Sequence, residues 1–586
     1  MSDRDMVVEI CGSAGEGTIS AGEILSRFMS EEGYDIMSFD SYPAEIRGFG
    51  KCVAHTRISR SQVLTPGKYT DVLIALNDIH SISQLPVLKE KGILIYDNKP
   101  PRYHEEDQSI AGWLEPGMVP YGVPLTELSI KASGNSKARN MVALGAFAAL
   151  FGIDHQSFAE SIKRRYGKKK QEIIDSNVNS FVEGYTYTLE NVRKMDTFLF
   201  DSTASDVKRD QLIINGNEAV AMAALGAGLH LYAGYPITPA TKIMEIMAKE
   251  LPKRGGIFLQ TEDEISAIAH VIGAGFAGKR AMTATSGPGF CLMSEFTGLS
   301  VMAEVPAVIV DSQRGGPSTG MPTKHEQSDL AIALYGGSGD SPRVVLAPTS
   351  VDECGQATVL ALYLAEKYQT LVILLLDFFL SNSIKNMDPP LPPDPLYLNA
   401  NVFPEESDLS DYKRYRITDN GISPRTLPGM PGGMFFSTGL EHDECGKPVY
   451  DAKSHTRMTE KRFRKHAEIA KEMTEPHITG CVGACDVGVV SWGSSAGAAR
   501  EAVAKACDQG MKAACFSTLF ISPFPEQALR DFSRRCRSLL VPEMNYSGQF
   551  ANLIARYTER PMERLNMVTG LPMAYEDILE KIKEMV

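Results

Sequence analysis

The sequence predicts an α/β protein built from three α/β blocks, and three observations carry that prediction. Short β-type runs alternate with longer helical patterns, the signature of a sheet covered by helices. Several of these runs lead straight into glycine-rich turns, where a strand hands over to a helix. At 586 residues the chain also exceeds what one hydrophobic core normally organises.

The first block, 1–185, carries β-type runs at 7–10, 72–76 and 93–96 and helical patterns such as 136–152. Residues 186–211 are polar and irregular and read as a linker. The second block, 212–385, predicts strands at 257–260, 281–285, 307–311, 344–346 and 371–376. Proline-dense DPPLPPDP at 388–395 breaks regular structure, because each proline removes a backbone donor and fixes φ. The stretch 386–485 carries few periodic elements and reads as linker and irregular region. Over 486–586 the α/β pattern returns, with strands at 487–492, 513–516 and 539–542 and a helix at 496–508.

Composition narrows the function classes. With 43% hydrophobic and 22% charged residues the chain reads as an ordinary globular protein. A net charge of -13 argues against nucleic-acid binding, which needs a basic field. The N-terminal MSDRDMVVEI turns acidic before any apolar run develops, so no signal peptide is expected. LVILLLDFFL at 371–380 is half the ~20 residues that span a bilayer and fits a buried parallel strand instead. Of the 10 cysteines only Cys481 and Cys485 sit close, and one C-x3-C pair is neither a zinc nor an iron–sulfur framework. No metal site is predicted in this chain, and a reducing, cytoplasmic setting is expected.

Six loops carry the chemistry. In ICGSAGEGTIS, Gly12, Gly15 and Gly17 form either a tight strand-to-helix turn or a cradle for a phosphate or coenzyme at a helix N-terminus. Its order, G-x-x-G-x-G, is not the dinucleotide order. The loop 41–51 displays Arg47, as a carboxylate or phosphate contact or a structural ion pair. In AGYPITPAT, two prolines stiffen a loop that runs from Tyr235 through Pro236 and Ile237 and displays Thr238. Next, QTEDE places Glu262 at a strand-to-helix junction, where Thr261 as helix cap followed by acidic residues is the plain alternative. TSGPG, with Thr285, Ser286 and Gly287, and QRGGPSTGMPTKHEQ, with Arg314, Thr323, Lys324 and His325, follow two further strands. Ligands of open α/β sheets bind beyond the carboxyl ends of strands, where these loops converge. An arginine among glycines and hydroxyls suits an anionic substrate.

YPITPAT, QTEDE, TSGPG and QRGGPSTGMPT together resemble the pyrimidine-binding domain of the α subunit of 2-oxoacid:ferredoxin oxidoreductases. GSAGEG and YPAEIRG resemble that family's γ subunit, fused ahead of α, with Ala14 and Glu16 departing from the commoner GxGGQG. SWGSSAG and PEMNYSGQ resemble its transketolase-C-like domain. The resemblance implies thiamine diphosphate shared with a β chain that brings Mg2+ and a 4Fe–4S cluster, with coenzyme A as co-substrate. Ferredoxin would be the electron acceptor and an (αβ)2 heterotetramer the assembly. It implies Glu262 at the aminopyrimidine, with Glu264 as the alternative if the junction shifts by two residues. Tyr235, Pro236, Ile237, Thr285, Ser286 and Gly287 would contact the cofactor, as would Gly12, Gly15 and Gly17 a coenzyme. Thr238, Arg314 and Thr323 would face the oxoacid, with Lys324, His325 and Arg47 as cations for a second carboxylate. That last set favours 2-oxoglutarate; pyruvate, a branched-chain oxoacid or a non-catalytic scaffold are the alternatives.

Overall fold

The computed structural model describes residues 5–42, 50–100, 109–200, 211–390 and 392–586. They form three sheets in two compact units, Met1–Ile214 with Ser383–Pro389, and Asn215–Asn382 with Pro390–Val586. Arg47 lies outside the described residues.

The first unit holds an eight-stranded mixed sheet. Met6–Ser13, Thr70–Ala75, Leu88–Asp97 and Val119–Val123 run parallel, and Lys51–Ser59 and Asp35–Ser41 add antiparallel on the other side. Lys51–Ser59 is invisible to apolar periodicity because His55 and Arg57 interrupt it. Both are buried and satisfied: His55 Nδ1 lies 2.9 Å from Glu9 Oε1, and Arg57 Nη1 donates to Thr65 O at 3.0 Å.

Two boundaries fall elsewhere than the sequence suggests. Helix Gln171–Asn191 runs past 185, and Phe198 and Phe200 then pack their rings on Phe151, at 5.7 and 6.2 Å between centroids. Residues 186–200 therefore pack onto this unit, with Phe200 in its core. Two aromatics in a polar stretch have no period to betray them. The strand Ile384–Met387 also joins this sheet, where the Asn386 side chain accepts from Ile36 N and donates to Tyr34 O, both at 2.9 Å.

The second unit contains a seven-stranded sheet ordered Phe520–Ser522, Val344–Leu346, Leu371–Asp377, Ala307–Gln313, Ala281–Thr285, Leu231–Gly234, Ile257–Gln260. All neighbours are parallel except the edge strand Phe520–Ser522. Every residue of Leu371–Asp377 is buried, as a strand covered on both faces requires. A five-stranded sheet is built on Cys485–Ser491, Ala513–Ser517 and Cys536–Glu543. The two sheets share one apolar core, in which Trp492, Phe516 and Phe550 join Ile309 and Ile373.

The expected irregular stretch contains an 18-residue helix, Ala452–Ile469, capped by Asp451, whose carboxylate accepts from Ser454 N at 2.9 Å. Its buried face carries Lys461, Arg462 and Lys465 beside Met458 and Ile469, so a hydrophobic pattern could not reveal it. The cations meet buried Glu304: Lys461 Nζ donates to it at 2.6 Å, Lys465 pairs with it, and Arg414 Nη2 donates to its carbonyl at 2.6 Å. Burial pushes the Lys465 ammonium down to about 7 despite Glu304. The unfolded chain then binds more protons than the folded one between about pH 7 and the ordinary lysine range, so this group makes stability rise with pH there. Urea unfolding of the wild type should gain about 2 kcal/mol from pH 7 to pH 9 relative to Lys465→Met. Parallel pH curves for the two proteins would refute the assignment.

Candidate active site

Four parallel strands of the seven-stranded sheet end at one edge, and the loops leaving them carry the predicted site residues. After Leu231–Gly234, Tyr235 and Pro236 are exposed and Ile237 and Thr238 half-buried. After Ile257–Gln260, the helix Glu264–Phe276 begins with Asp263 as its cap, accepting from Ser266 N at 2.8 Å. Thr261 instead donates its hydroxyl to Asp263 O at 2.9 Å. This two-residue displacement sets the two glutamates in different surroundings. Glu262 is exposed, whereas Glu264 points inward and is 5% exposed.

Glu264 lies against the TSGPG turn. A Cβ on Gly289 would collide with Glu264 Oε1 and Thr285 Oγ1, so glycine is what lets the turn close over the carboxyl. Burial pushes the Glu264 carboxyl above the usual range, Asp263 adds to the rise, and the Arg314 guanidinium opposes it. Of the two glutamates that the sequence offers, Glu264 is the one that folding buries beside the TSGPG turn, and Glu262 is the one left exposed. Thr285 and Ser286 are fully buried, and the Ser286 hydroxyl has no hydrogen-bond partner among the described residues.

Arg314 follows Ala307–Gln313 directly and is 7% exposed. Its Nη1 donates to Thr238 O at 2.7 Å, tying the two loops together, while its Nε has no partner among the described residues. Desolvation lowers the pKa of Arg314, and Asp329 and Glu264 counter it, so the guanidinium stays charged. The expected contact of Thr238 with an oxoacid thus arises beside its carbonyl, which the arginine already holds. Thr323 and Lys324 are half-buried farther along the same loop, and the Lys324 stem lies against Gly570.

His325 does not serve as a surface cation. It is fully buried, burial lowers its pKa, and its ring sits 3.7 Å from Asp377 Oδ1 and 3.5 Å from Ser494 Oγ. Buried, with its pKa lowered, His325 is not the exposed cation that the sequence predicts. In the first unit, the glycine-rich turn holds an anion of its own. Ser13 N donates to Glu16 Oε2 at 2.8 Å, Arg139 pairs with the same carboxylate, and Gly12 leaves room for it. Of the two readings of Gly12, Gly15 and Gly17, the tight turn is the one this arrangement carries.

Two residues escaped the sequence reading. Asp311 is fully buried at the end of Ala307–Gln313, opposite Thr285, and neither carboxylate oxygen has a partner among the described residues. Asp329 lies under the TSGPG turn, its carboxylate 2.6 Å from where a Cβ on Gly287 would be. Burial raises both carboxyls, Asp329 opposes ionisation of Asp311, and Glu326 that of Asp329, so the pair keeps a proton. An aspartate closing a fully apolar run, VIVD, was the available signal.

Comparisons with known proteins agree along the chain. Residues 222–461 match the family described as pyruvate flavodoxin/ferredoxin oxidoreductase, thiamine diphosphate-binding. Residues 7–187 match pyruvate ferredoxin/flavodoxin oxidoreductase, and 485–578 match its core domain II. The chain is 31% identical to 2-oxoglutarate oxidoreductase subunit KorA of Mycobacterium tuberculosis, over 98% of this chain and 90% of that one. It is 36% identical to 2-oxoglutarate synthase subunit KorA of Methanothermobacter marburgensis, over 62% of this chain and 99% of the relative. A solved structure of 2-oxoglutarate:ferredoxin oxidoreductase from Magnetococcus marinus, with 2-oxoglutarate, coenzyme A and succinyl-CoA bound, matches at 36% identity. That match has a TM-score of 0.93 and covers 100% of both chains.

Proposed function

Because the chain belongs to the 2-oxoacid:ferredoxin oxidoreductase family, we propose that its share of the oxidative decarboxylation is carried by Glu264 and Arg314 in one cleft. The observation behind this reading is their pairing: a buried carboxyl with a raised pKa and a buried guanidinium with a free Nε, both set beyond the carboxyl ends of strands of one sheet. The residues present fit thiamine diphosphate, since Glu264 offers a proton-sharing carboxyl under the Gly289 turn and the Ser286 hydroxyl awaits a partner. When bound, that cofactor supplies the nucleophilic carbon and the electron sink for loss of carbon dioxide. Glu264 holds the proton that moves to and from the aminopyrimidine ring, and Tyr235, Pro236, Ile237, Thr285 and Gly287 border the ring's place.

Arg314 receives the oxoacid carboxylate and orients its keto carbon, with Thr238 and Thr323 beside it. Fixing that geometry converts an encounter into a near-unimolecular step. The Asp311–Asp329 pair, keeping one proton, avoids two full negative charges near the guanidinium and leaves it attractive to an anion. We assign 2-oxoglutarate as the substrate, on the names of the relatives and on Lys324, which alone of the three expected cations is described and not sealed in the core. Coenzyme A takes the acyl group.

A β chain would complete the site with Mg2+, the diphosphate contacts and a 4Fe–4S cluster, pass electrons to ferredoxin, and form an (αβ)2 assembly with this chain. No described helix is long and apolar enough to cross a membrane, and all 10 cysteines are free thiols, which supports a cytoplasmic setting. The test is a panel of oxoacids with a viologen acceptor, run on this chain alone and with its β partner. Turnover is expected only from the complex, and with kcat/KM for 2-oxoglutarate at least tenfold above pyruvate. Turnover by the single chain would overturn the shared site, and preference for pyruvate would overturn the substrate.

A further inference from the structure

The loop that begins at Arg314 does not hold itself in place. Its start and end are joined by short bonds: Gly315 N donates to Lys324 O at 3.0 Å, and Gly316 N donates to Glu326 Oε2 at 3.1 Å. Asp329 N donates back to Gln313 Oε1 at 3.0 Å. Any shift of 326–329 is therefore passed to the residues flanking Arg314. What fixes 326–329 comes from the five-stranded sheet, through the two motifs that the reaction itself leaves unused, SWGSSAG and PEMNYSGQ.

Gln327 is the hub. It is fully buried, and its N–H donates to Met544 O at 2.8 Å while its carbonyl accepts from Asn545 Nδ2 at 3.0 Å. Its side-chain amide donates to Asp377 Oδ2 at 3.2 Å and leans on Trp492 O at 3.4 Å. Gly493, at φ 55, makes room for that amide: a Cβ there would lie 2.6 Å from Gln327 Nε2. Next along the loop, Ser328 O accepts from Gln549 Nε2 at 2.8 Å, and Gln549 Oε1 takes Ala331 N at 2.7 Å.

The second side of this contact is itself rigid. Asn545 Oδ1 accepts from Gly548 N at 2.8 Å, and its amide donates to Glu543 Oε2 at 2.9 Å. Glu543 is fully buried and accepts from Phe550 N at 2.7 Å and Ala551 N at 2.9 Å. Buried backbone donors and acceptors on both loops find partners across the junction, so separating them would strand polar groups in the core.

We propose that Gln327, Gly493, Asn545 and Gln549 are positioning residues, and that through them the C-terminal block clamps the 314–329 loop and aims Arg314 at the oxoacid. This rests on the assignment of Arg314 to the substrate carboxylate. Glu264 lies on a different loop and helix, so the clamp acts first on the substrate end, and because Asp329 sits under Gly287 of the TSGPG turn, C2 exchange is read beside KM. A clamp of this kind shows in KM, because a misaimed guanidinium loses affinity for the acid before the chemistry at the cofactor is touched.

The experiment uses the complex of this chain with its β partner carrying Gln549→Ala, Asn545→Ala or Gly493→Ala, beside Arg314→Ala. Three readings are taken: KM and kcat for 2-oxoglutarate, exchange of the cofactor C2 proton without substrate, and the melting temperature. Gln549→Ala and Asn545→Ala are expected to raise KM roughly tenfold or more, with kcat within about threefold and C2 exchange at the wild-type rate. Gln549→Glu keeps the acceptor for Ala331 N and loses the donor to Ser328 O, so its KM should fall between wild type and Gln549→Ala. If Gly493→Ala fails to fold, the half-buried Gln549 still decides. The clamp is overturned if the folded Gln549→Ala and Asn545→Ala complexes keep the wild-type KM while Arg314→Ala raises it. It is overturned equally if KM rises only together with a loss of C2 exchange and of melting temperature, which marks a structural role alone. A silent Arg314→Ala would overturn the substrate assignment and the clamp with it.

Discussion

Glu264→Gln should slow exchange of the cofactor C2 proton in the assembled complex by about two to three orders of magnitude. That is roughly 3–4 kcal/mol, the scale of losing one charge-assisted contact at a reacting group. The amide matches the carboxyl in size, so the packing against Gly289 survives, yet it cannot give up or take a proton. Decarboxylation should fall with exchange, while KM for the oxoacid changes little because Arg314 is untouched. Glu262→Gln is the internal comparison. Its side chain is exposed at the junction, and the variant should behave as wild type. The reverse result, with Glu262→Gln slow and Glu264→Gln normal, would return the role to the residue the sequence favoured.

Arg314→Ala should cost about 2–4 kcal/mol in kcat/KM for every oxoacid, the scale of leaving one member of a desolvated charge pair without its partner. Arg314→Lys should fall between alanine and wild type. Lysine keeps the charge but has no planar fork, and it cannot at once reach Thr238 O, the contact Arg314 makes at 2.7 Å, and clamp a carboxylate. Exchange at C2 without substrate should change far less than in Glu264→Gln, with Arg314→Lys nearer wild type because it keeps the charge that opposes the rise of the Glu264 carboxyl. The two glutamine and arginine experiments therefore separate: one moves the proton step, the other moves substrate capture. Wild-type kcat/KM in Arg314→Ala would make Arg314 a structural arginine that only ties two loops.

Much of the second unit was legible because parallel strands covered on both faces write themselves as continuous apolar runs. Ala281–Thr285, Val344–Leu346 and Leu371–Asp377 stand where those runs are, and the first ends in a motif loop. The same physics hid other elements. Lys51–Ser59 and Ala452–Ile469 bury charge against charge, and a code that reads apolar spacing is silent when His55 or Lys461 occupies the inward position.

The sequence by itself determined the α/β class, the order of the blocks, and the loops that carry the chemistry, since glycine, proline and apolar runs act through local backbone geometry. It named both glutamates of QTEDE and put Glu262 first. Tertiary structure set them apart by burial, because the helix begins at Glu264 with Asp263 as cap, and only folding decides which side of the first turn faces the Gly289 turn and loses water. Tertiary structure also took His325 from the substrate set into the core, gave the Gly12 turn the carboxylate of Glu16, and set Gln327 between two sheets. Burial, and the pKa shift and partner that follow from it, belongs to residues distant in the chain, and no local pattern of residue types carries it.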